Sequence, residues 1–392
     1  MISARANINP DLLTWARQTV GLDIEKSAKK IAIDPKLLEQ WESGEKKPTI
    51  NQLRKAANAY KRSLAVFFLS DPPSLPNISM DFRLLPENMD HELSYDTLVQ
   101  IRQCNRRQEI AIELAKMINL ETGNELSIAH LNDDPEKLAQ RERDFLNINI
   151  QNQFKLKDKY AALRFWKKTL EDKGILVFQS SKVQISEMRG YSGYNEEYPF
   201  IIINSKDTPT ARIFSLFHEY CHLLLRNGGI CDMYESDYKN NISRFEVFCN
   251  HFAAAFLVPK AGLLKEPLVK QNLDPDQWSD ENIRKLANKY KVSREVIIRR
   301  LTTLDLVTLE FYRTKRKQLL EELKLMKSPD EDVKIPYYRK VLSWNGEMYS
   351  NLVLESYREQ KINMSDVADY LGVRLKHLPK IESELMRSEM SS

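Results

Sequence analysis

The segment ARIFSLFHEYCHLLL, residues 211–225, contains the pattern HExxH inside an otherwise apolar stretch. On an α-helix, residues four apart lie on one face about one turn apart, so His218 and His222 can bring both imidazoles to one zinc ion. Glu219 then projects toward the open coordination position, where a carboxylate can take a proton from the attacking water and return it to the leaving amine. Because buried charge is costly unless it is paired or metal-bound, this helix predicts a metal site.

A site of this kind needs a third protein ligand, and the apolar segment SRFEVFCNHFAAAFLVP, residues 243–259, offers Glu246. This is the one carboxylate of the segment, and an acid among Phe and Ala residues is anomalous unless it is a ligand. Asn250 lies one turn further on and can orient a ligand. His251 is the competing ligand, but it points about 100° away from Asn250 on a helix. Three acids of the polar loop between the segments are predicted to be solvated: Asp232, Glu235 and Asp237.

The residues before the HExxH segment predict a small α+β unit. An amphipathic helix is expected over 160–169, followed by two or three strands, of which two lie over 174–178 and 199–204. Between the strands, RGYSGYNEEY (residues 189–198) is expected to be a turn rich in Gly and Tyr. Three tyrosines are open candidates for stabilising the oxyanion: Tyr191, Tyr194 and Tyr220.

The first 70 residues contain the positive charge of the chain. They contain twelve Lys and Arg residues against seven acids, a charge of +5, whereas the whole chain of 392 residues has +4. Such an excess in one segment indicates a polyanionic partner. Short helices with a tight connection between the second and the third, the third capped by Asp34 with Pro35 at its first position, describe a helix-turn-helix bundle.

Within this bundle, AKKIAIDPKLLEQWESGEKKPTINQLRKAANAY, residues 28–60, resembles the Xre-type helix-turn-helix family. The matching residues are Ala28, Ile31, Leu38, Trp41, Glu42, Gly44, Pro48 and Leu53. The resemblance implies that the third helix of the bundle faces the major groove of DNA. The DNA-contact candidates are Lys36, Gln40 and Ser43 at base edges, with Lys46 and Lys47 on the phosphate backbone. Glu39 and Glu42 oppose phosphate binding, and this fold also serves as a protein-docking module.

The two apolar segments together resemble the ImmA/IrrE family of zinc metallopeptidases. The family pattern is R-x-F-x-x-x-H-E-x-x-H, then E-x-x-x-N-x-F-A-x-x-x-L-x-P. It is filled by Arg212, Phe214, His218, Glu219, His222, Glu246, Asn250, Phe252, Ala253, Leu257 and Pro259. The resemblance implies that His218, His222 and Glu246 bind Zn²⁺ and that Glu219 is the general base. It also implies a protein substrate, since some members, often paired with or fused to Xre-type domains, cleave Xre-type repressors.

The whole pattern predicts a multidomain, mainly α protein with a small α+β metallopeptidase core and an N-terminal helix-turn-helix bundle. The expected parts are a helix-turn-helix domain (1–70), a linker (71–90), a helical brace (91–150), the peptidase core (155–265), a helical extension (270–327) and a C-terminal helical unit (335–385). The last two parts each have the rhythm of a further helix-turn-helix. For the extension we expect packing on the core, with DNA contact as the lesser alternative. For the C-terminal unit we expect a structural or partner-sensing role.

These patterns indicate a zinc endopeptidase that cleaves or controls a transcriptional regulator, either an Xre-type repressor or a toxin–antitoxin partner. The alternative is a DNA-binding regulator or toxin–antitoxin component that uses the peptidase fold for sensing, with little proteolysis. Low Gly and Pro content and four scattered Cys residues exclude collagen-like, disordered and disulfide-scaffold classes. No apolar run approaches the ~20 residues of a membrane span, and no signal-peptide core is evident, so we expect a cytoplasmic protein.

Overall fold

The computed structural model describes residues 5–73, 93–121, 123, 125–226, 230–231, 241–271, 274–275, 277–325 and 335–390. Most of the predicted linker and the three loop acids Asp232, Glu235 and Asp237 lie outside these residues. The chain divides into two compact units, residues 1–103 and 104–392. The boundary falls inside one helix, within the segment predicted as a helical brace. In the described part of the chain, no helix is long and apolar enough to cross a membrane.

The first unit is built from short helices. They are α1 (Pro10–Gln18), α2 (Ile24–Ile31), α3 (Pro35–Glu42), α4 (Ile50–Tyr60), a 3-10 helix (Leu64–Phe68) and the beginning of α5 (Tyr95–Met117). The side chains of Asp23, Asp34 and Thr49 each accept a backbone N–H in the first turn of a helix, which fixes where α2, α3 and α4 begin. Leu38 and Trp41 of α3 are buried in the centre of the unit.

The second unit surrounds a small sheet with helices. Its elements up to the sheet are the rest of α5, α6 (Pro135–Phe145), α7 (Ile150–Lys155), α8 (Lys159–Glu171), β1 (Leu176–Ser180), β2 (Gly190–Gly193) and β3 (Phe200–Asn204). Then follow α9 (Pro209–Leu224), β4 (Ile230–Cys231), α10 (Asn241–Leu257), α11 (Lys260–Leu263), α12 (Pro267–Gln271), α13 (Asp280–Tyr290), α14 (Arg294–Thr303) and α15 (Leu309–Leu325). The C-terminal elements are α16 (Tyr337–Asn345), α17 (Glu347–Arg358), α18 (Met364–Leu371), a 3-10 helix (Leu375–His377) and α19 (Leu378–Met390).

The sheet has the strand order β1-β3-β2-β4. Strand β1 runs parallel to β3, whereas β2 is antiparallel to both β3 and β4. The prediction of a turn was wrong for residues 190–193, because β2 lies there and pairs on both sides. Its two glycines leave room for neighbouring side chains: a Cβ at Gly193 would collide with the Phe200 ring, and one at Gly190 with Glu219. A segment rich in Gly and Tyr can therefore form a strand here, because the Phe200 ring and the Glu219 side chain fill the space beside its two glycines.

The two faces of the sheet are covered by different helices. Ile201 and Ile203 belong to the core that includes α9. On the opposite face, the Phe178 ring meets Tyr349 of α17 edge-on at 6.1 Å. Gln179, in register with Ile203, accepts from Arg212 of α9 at 2.9 Å and donates to Ser343 of α16 at 2.8 Å. The first two helices of the C-terminal unit thus pack on this sheet.

Helices α9 and α10 pack through aromatic rings. Phe217 of α9 stacks on Phe256 of α10 with ring centroids 4.1 Å apart, and Trp166 of α8 packs edge-on to Phe217 at 5.0 Å. Thr208 caps the first turn of α9, and Pro209 occupies its first position. This packing holds the HExxH helix rigidly against the helix that contains Glu246.

Helix α14 of the predicted extension is a core helix. The Arg300 side chain is fully buried; it donates to the carbonyl of Val258 at 2.7 Å and forms a bidentate pair with Glu136 of α6. The extension therefore packs on the core that includes α9 and α10, as expected. The lesser alternative, DNA contact through this stretch, is wrong for Arg300, because a buried and paired guanidinium cannot reach a phosphate.

Candidate metal centre

Three side chains from two helices converge behind the sheet. His218 and His222 lie one turn apart on α9, and their Nε2 atoms are 3.1 Å apart. The Glu246 carboxylate of α10 lies 3.3 Å from each of these nitrogens. Within the described residues, these three form the group that can hold a metal ion. A tetrahedral zinc ion with bonds of about 2.0–2.1 Å spaces its ligand atoms about 3.3 Å apart, so the donor spacing fits zinc.

The three donor side chains differ in burial. Both imidazoles are buried, whereas the Glu246 side chain is 24% exposed. Burial opposes ionisation of Glu246, but His218 and His222 outweigh it and lower the pKa of this carboxyl below its usual range. The third donor is therefore a charged carboxylate, and solvent reaches the site on its side.

Asn250 holds one of the imidazoles from behind. Its Oδ1 atom lies 3.1 Å from Nδ1 of His218. When Nδ1–H donates to the amide oxygen, Nε2 keeps its lone pair and faces the donor group. Asn250 lies one turn after Glu246 on α10, so the structure places it where the sequence predicts an orienting residue.

Glu219 lies beside the three donors with one oxygen held and one oxygen left over. Its Oε2 accepts a hydrogen bond from Ser192 Oγ at 2.8 Å, whereas Oε1 is buried without a hydrogen-bond partner. Burial raises the pKa of Glu219 above its ordinary value. An unsatisfied buried carboxylate oxygen costs free energy unless something binds it. A metal ion held by the imidazoles would bring a water that can hydrogen-bond to this oxygen. The unpartnered oxygen is therefore a second observation, besides the donor spacing, that these residues fit a metal ion.

Sequence reasoning missed two residues of this site, Ser192 and Gly190. Both lie on β2, in the stretch predicted to be a turn. A Cβ at position 190 would lie 2.5 Å from Oε1 of Glu219, so only glycine leaves the carboxylate its space. The available signal was the alternation of small residues with a tyrosine in Gly190–Gly193, since alternate residues of a strand share one face.

The competing third ligand is directed elsewhere. Nε2 of His251 lies 2.9 Å from Oε1 of Glu136, the carboxylate that also pairs with Arg300. His251 therefore belongs to an ion-pair network between α6, α10 and α14 and not to the donor group.

Of the three tyrosines proposed for the oxyanion, two are in the wrong place. The buried Tyr220 hydroxyl donates to Glu142 at 2.6 Å, and that bond orients it toward α6. Tyr191 alternates with Ser192 along β2, so it lies on the opposite face of the sheet, beside Phe200. Tyr194 stays a candidate; the Arg226 guanidinium covers its ring at 3.9 Å.

The DNA-contact candidates lie on α3 and the turn after it. The exposed ones are Lys36, Ser43, Lys46 and Lys47. Gln40 is half-buried and donates to Glu45 at 3.1 Å. Glu42 does not oppose phosphate as predicted, because Arg17 binds its carboxylate at 2.7 and 2.8 Å and Thr14 donates to it. The exposed acid Glu39 still does.

The comparison with protein families agrees with the site. Residues 170–302 match the family Peptidase_M78, described as an IrrE N-terminal-like domain. The match covers about a third of the chain, from the end of α8 to α14, and includes all three converging donors and Glu219. No curated protein matches the chain. The matched part of this chain is therefore similar to metallopeptidase domains of the IrrE type.

Proposed function

We propose that this chain is a cytoplasmic, zinc-dependent endopeptidase that cleaves or controls a transcriptional regulator. The supporting observation is the convergence of His218, His222 and Glu246 beside a buried Glu219 oxygen without a partner. Two histidines and one glutamate with an open position are a donor set of catalytic zinc sites. The regulator is an Xre-type repressor or a toxin–antitoxin partner, as the resemblance to ImmA/IrrE peptidases implies.

The residues around the site divide the work of peptide hydrolysis. Bound zinc supplies Lewis acidity, which polarises a carbonyl oxygen and makes water more acidic. Oε1 of Glu219 takes the proton of the attacking water and delivers it to the leaving nitrogen. Ser192 holds Oε2, so that the free oxygen keeps its direction. The raised pKa of Glu219 suits a group that must hold a proton between these two transfers.

The test combines metal content with cleavage. Wild type, Glu219→Gln and Glu246→Ala are each co-expressed with the regulator encoded next to the gene, and zinc is measured on the purified chains. We expect one zinc per chain in wild type and in Glu219→Gln, cleavage only in wild type, and loss of zinc in Glu246→Ala. Val247→Ala, at the exposed neighbouring position on α10, is the matched control and should keep zinc and cleavage.

Two results would contradict this assignment. Full cleavage by Glu219→Gln would show that Glu219 is not the base. Unchanged zinc content in Glu246→Ala would place the third ligand elsewhere.

A second candidate function is DNA binding by the first unit, with the peptidase fold used for sensing. It is favoured by the charge of +5 of the first 70 residues. It is also favoured by the ion pair between Arg17 and Glu42, which neutralises one acid of α3. A salt-sensitive gel shift of the full chain on its own promoter region, lost in Lys36→Ala with Lys47→Ala, supports it. An unchanged shift in that variant counts against this surface. Both functions hold together if the first unit brings the peptidase to an operator.

A further inference from the structure

One local structure occurs three times among the described residues, and we call it the turn motif. An alanine near the end of a helix is followed four residues later by a residue in the left-handed conformation. The next residue is apolar, and its N–H donates to the carbonyl of the alanine. A buried apolar residue of the next helix comes ten residues after the alanine. The three sets are Ala28, Ala32, Ile33 and Leu38; Ala287, Lys291, Val292 and Ile297; and Ala368, Gly372, Val373 and Leu378.

The helix after the turn differs between the copies in what surrounds it. In the second copy this helix is α14, whose Val296, Ile298 and Arg300 are buried in the peptidase core. It therefore cannot enter a groove of DNA. In the third copy, the described side chains of the 3-10 helix Leu375–His377 and of α19 as far as residue 387 bury one stripe, Leu378, Ile381 and Leu385. The opposite face of α19 is exposed.

That exposed face repeats the positions proposed for DNA contact in the first unit. Lys36, Gln40 and Ser43 stand 8, 12 and 15 residues after Ala28. The same steps from Ala368 reach three exposed residues: Lys376, Lys380 and Ser383. In the second copy they reach Glu295, Arg299 and Thr302, which are half-buried, and Glu295 pairs with Arg299 there. The third copy thus repeats the spacing of the first, and it has an exposed lysine where the first has the half-buried Gln40.

The local charge of this face is positive because its acids are already paired. Glu382 is bound by Arg358 and Glu384 by Arg339, each at 3.0 Å. Within the described residues, neither Lys376 nor Lys380 has a carboxylate within 4.0 Å, and the exposed Arg374 adds a third cation at the N-terminal end. Three cations at the start of the second helix of a turn motif match the phosphates that flank a major groove.

We propose that residues 374–383 form a second DNA interface of this protein, in addition to the one proposed in the first unit. Lys376 and Lys380 each contact one phosphate of the DNA, and Arg374 contacts the adjacent phosphate backbone. Because α16 and α17 pack on the sheet of the peptidase core, this interface would fix that core to the DNA. The inference does not depend on peptidase activity, since its evidence lies outside the metal centre.

The test uses the full chain and a fluorescent duplex of mixed sequence, about 30 bp long, over a range of salt concentrations. The variants are Lys376→Ala with Lys380→Ala for the third copy and Lys36→Ala with Lys47→Ala for the first. Lys265→Ala with Lys270→Ala, two exposed lysines of the peptidase region, is the matched control. Thermal unfolding and zinc content verify that every variant is folded.

We expect the third-copy variant to bind about tenfold more weakly at low salt. The slope of log affinity against log salt should fall by about 1.8 for two lost phosphate contacts. The first-copy variant should show a separate loss, and the control none. If the third-copy variant binds with wild-type affinity and wild-type salt dependence, the proposal is overturned. This face would then be a site for a protein partner. Charge reversal at both lysines without effect would overturn it as well.

Discussion

Replacing Gly190 by alanine should impair the proposed base, Glu219, and leave metal binding intact. The added Cβ would lie 2.5 Å from Oε1 and 2.8 Å from Cγ of Glu219. Ordinary carbon contacts begin at about 3.5 Å, so the carboxylate must move by about 1 Å. It is fully buried between β2 and α9, and such a shift breaks its 2.8 Å bond to Ser192. A displacement of about 1 Å at a catalytic group costs about 10²-fold in rate.

The metal donors should be unaffected, because the new methyl group reaches none of them among its nearest atoms. The assay is therefore the cleavage rate together with zinc per chain and thermal unfolding. We expect cleavage about 10²-fold slower, one zinc per chain, and a loss of about 1–3 kcal/mol in stability from overpacking.

Gly193→Ala is the matched control for this prediction. It lies on the same strand, but its Cβ would meet the Phe200 ring on the other face of the sheet. It should lose stability as well, while its zinc content and most of its cleavage rate are retained. Wild-type cleavage in Gly190→Ala, or equal losses of rate in both variants, would refute the reasoning.

Two further changes test the surroundings of the site. Ser192→Ala removes a hydrogen bond that favours the ionised form of Glu219. The acid limb of the cleavage pH profile should therefore move to higher pH, while zinc is retained. An acid limb at the wild-type pH would contradict the role of Ser192. Burial opposes ionisation of Glu136, but its bonds to His251 and Arg300 lower its pKa to about 2. The stabilisation that ionised Glu136 gives to the folded chain is therefore present above pH 4.5 and is lost as pH falls toward 2. Glu136→Gln should lower the free energy of unfolding by about 3 kcal/mol at neutral pH, since Arg300 stays buried without its charge partner. On acidification, the free energy of unfolding should fall less in this variant than in wild type. Denaturant unfolding at both pH values measures both effects.

The sequence was most informative where local rules coincide with tertiary structure. The HExxH spacing, the apolar flanks and the cap at Thr208 all require one buried helix, and α9 is that helix. The isolated acid Glu246 was recognisable because a carboxylate on an apolar helix needs a partner, and the structure brings it to the histidines. In both cases the physical cause lies within a few turns of one helix.

The part that could not be predicted depends on neighbours that are distant in sequence. Strand β2 has low strand propensity in its glycines, and it forms because β3 and β4 pair with it on both sides. The partnership of Ser192 with Glu219 and the pairing of Arg300 with Glu136 join segments far apart in the chain. No local pattern encodes such contacts, so both were absent from the sequence-based expectations.

The three copies of the turn motif show how one local structure acquires different roles through its outer residues. The inner positions are apolar in every copy, and the apolar side chain after the αL residue packs back on the helix, as is frequent at such caps. What differs is the second helix. In the middle copy Val296 and Ile298 lie beside Ile297, so this helix is apolar on more than one side and is buried by α10 and α15. In the last copy Lys376 and Lys380 occupy the exposed side, and a helix with lysines there cannot be buried without a high desolvation cost. The same fold element therefore supports the peptidase core at α14 and leaves a basic surface at α19, and the choice follows from side-chain polarity at a few outward positions.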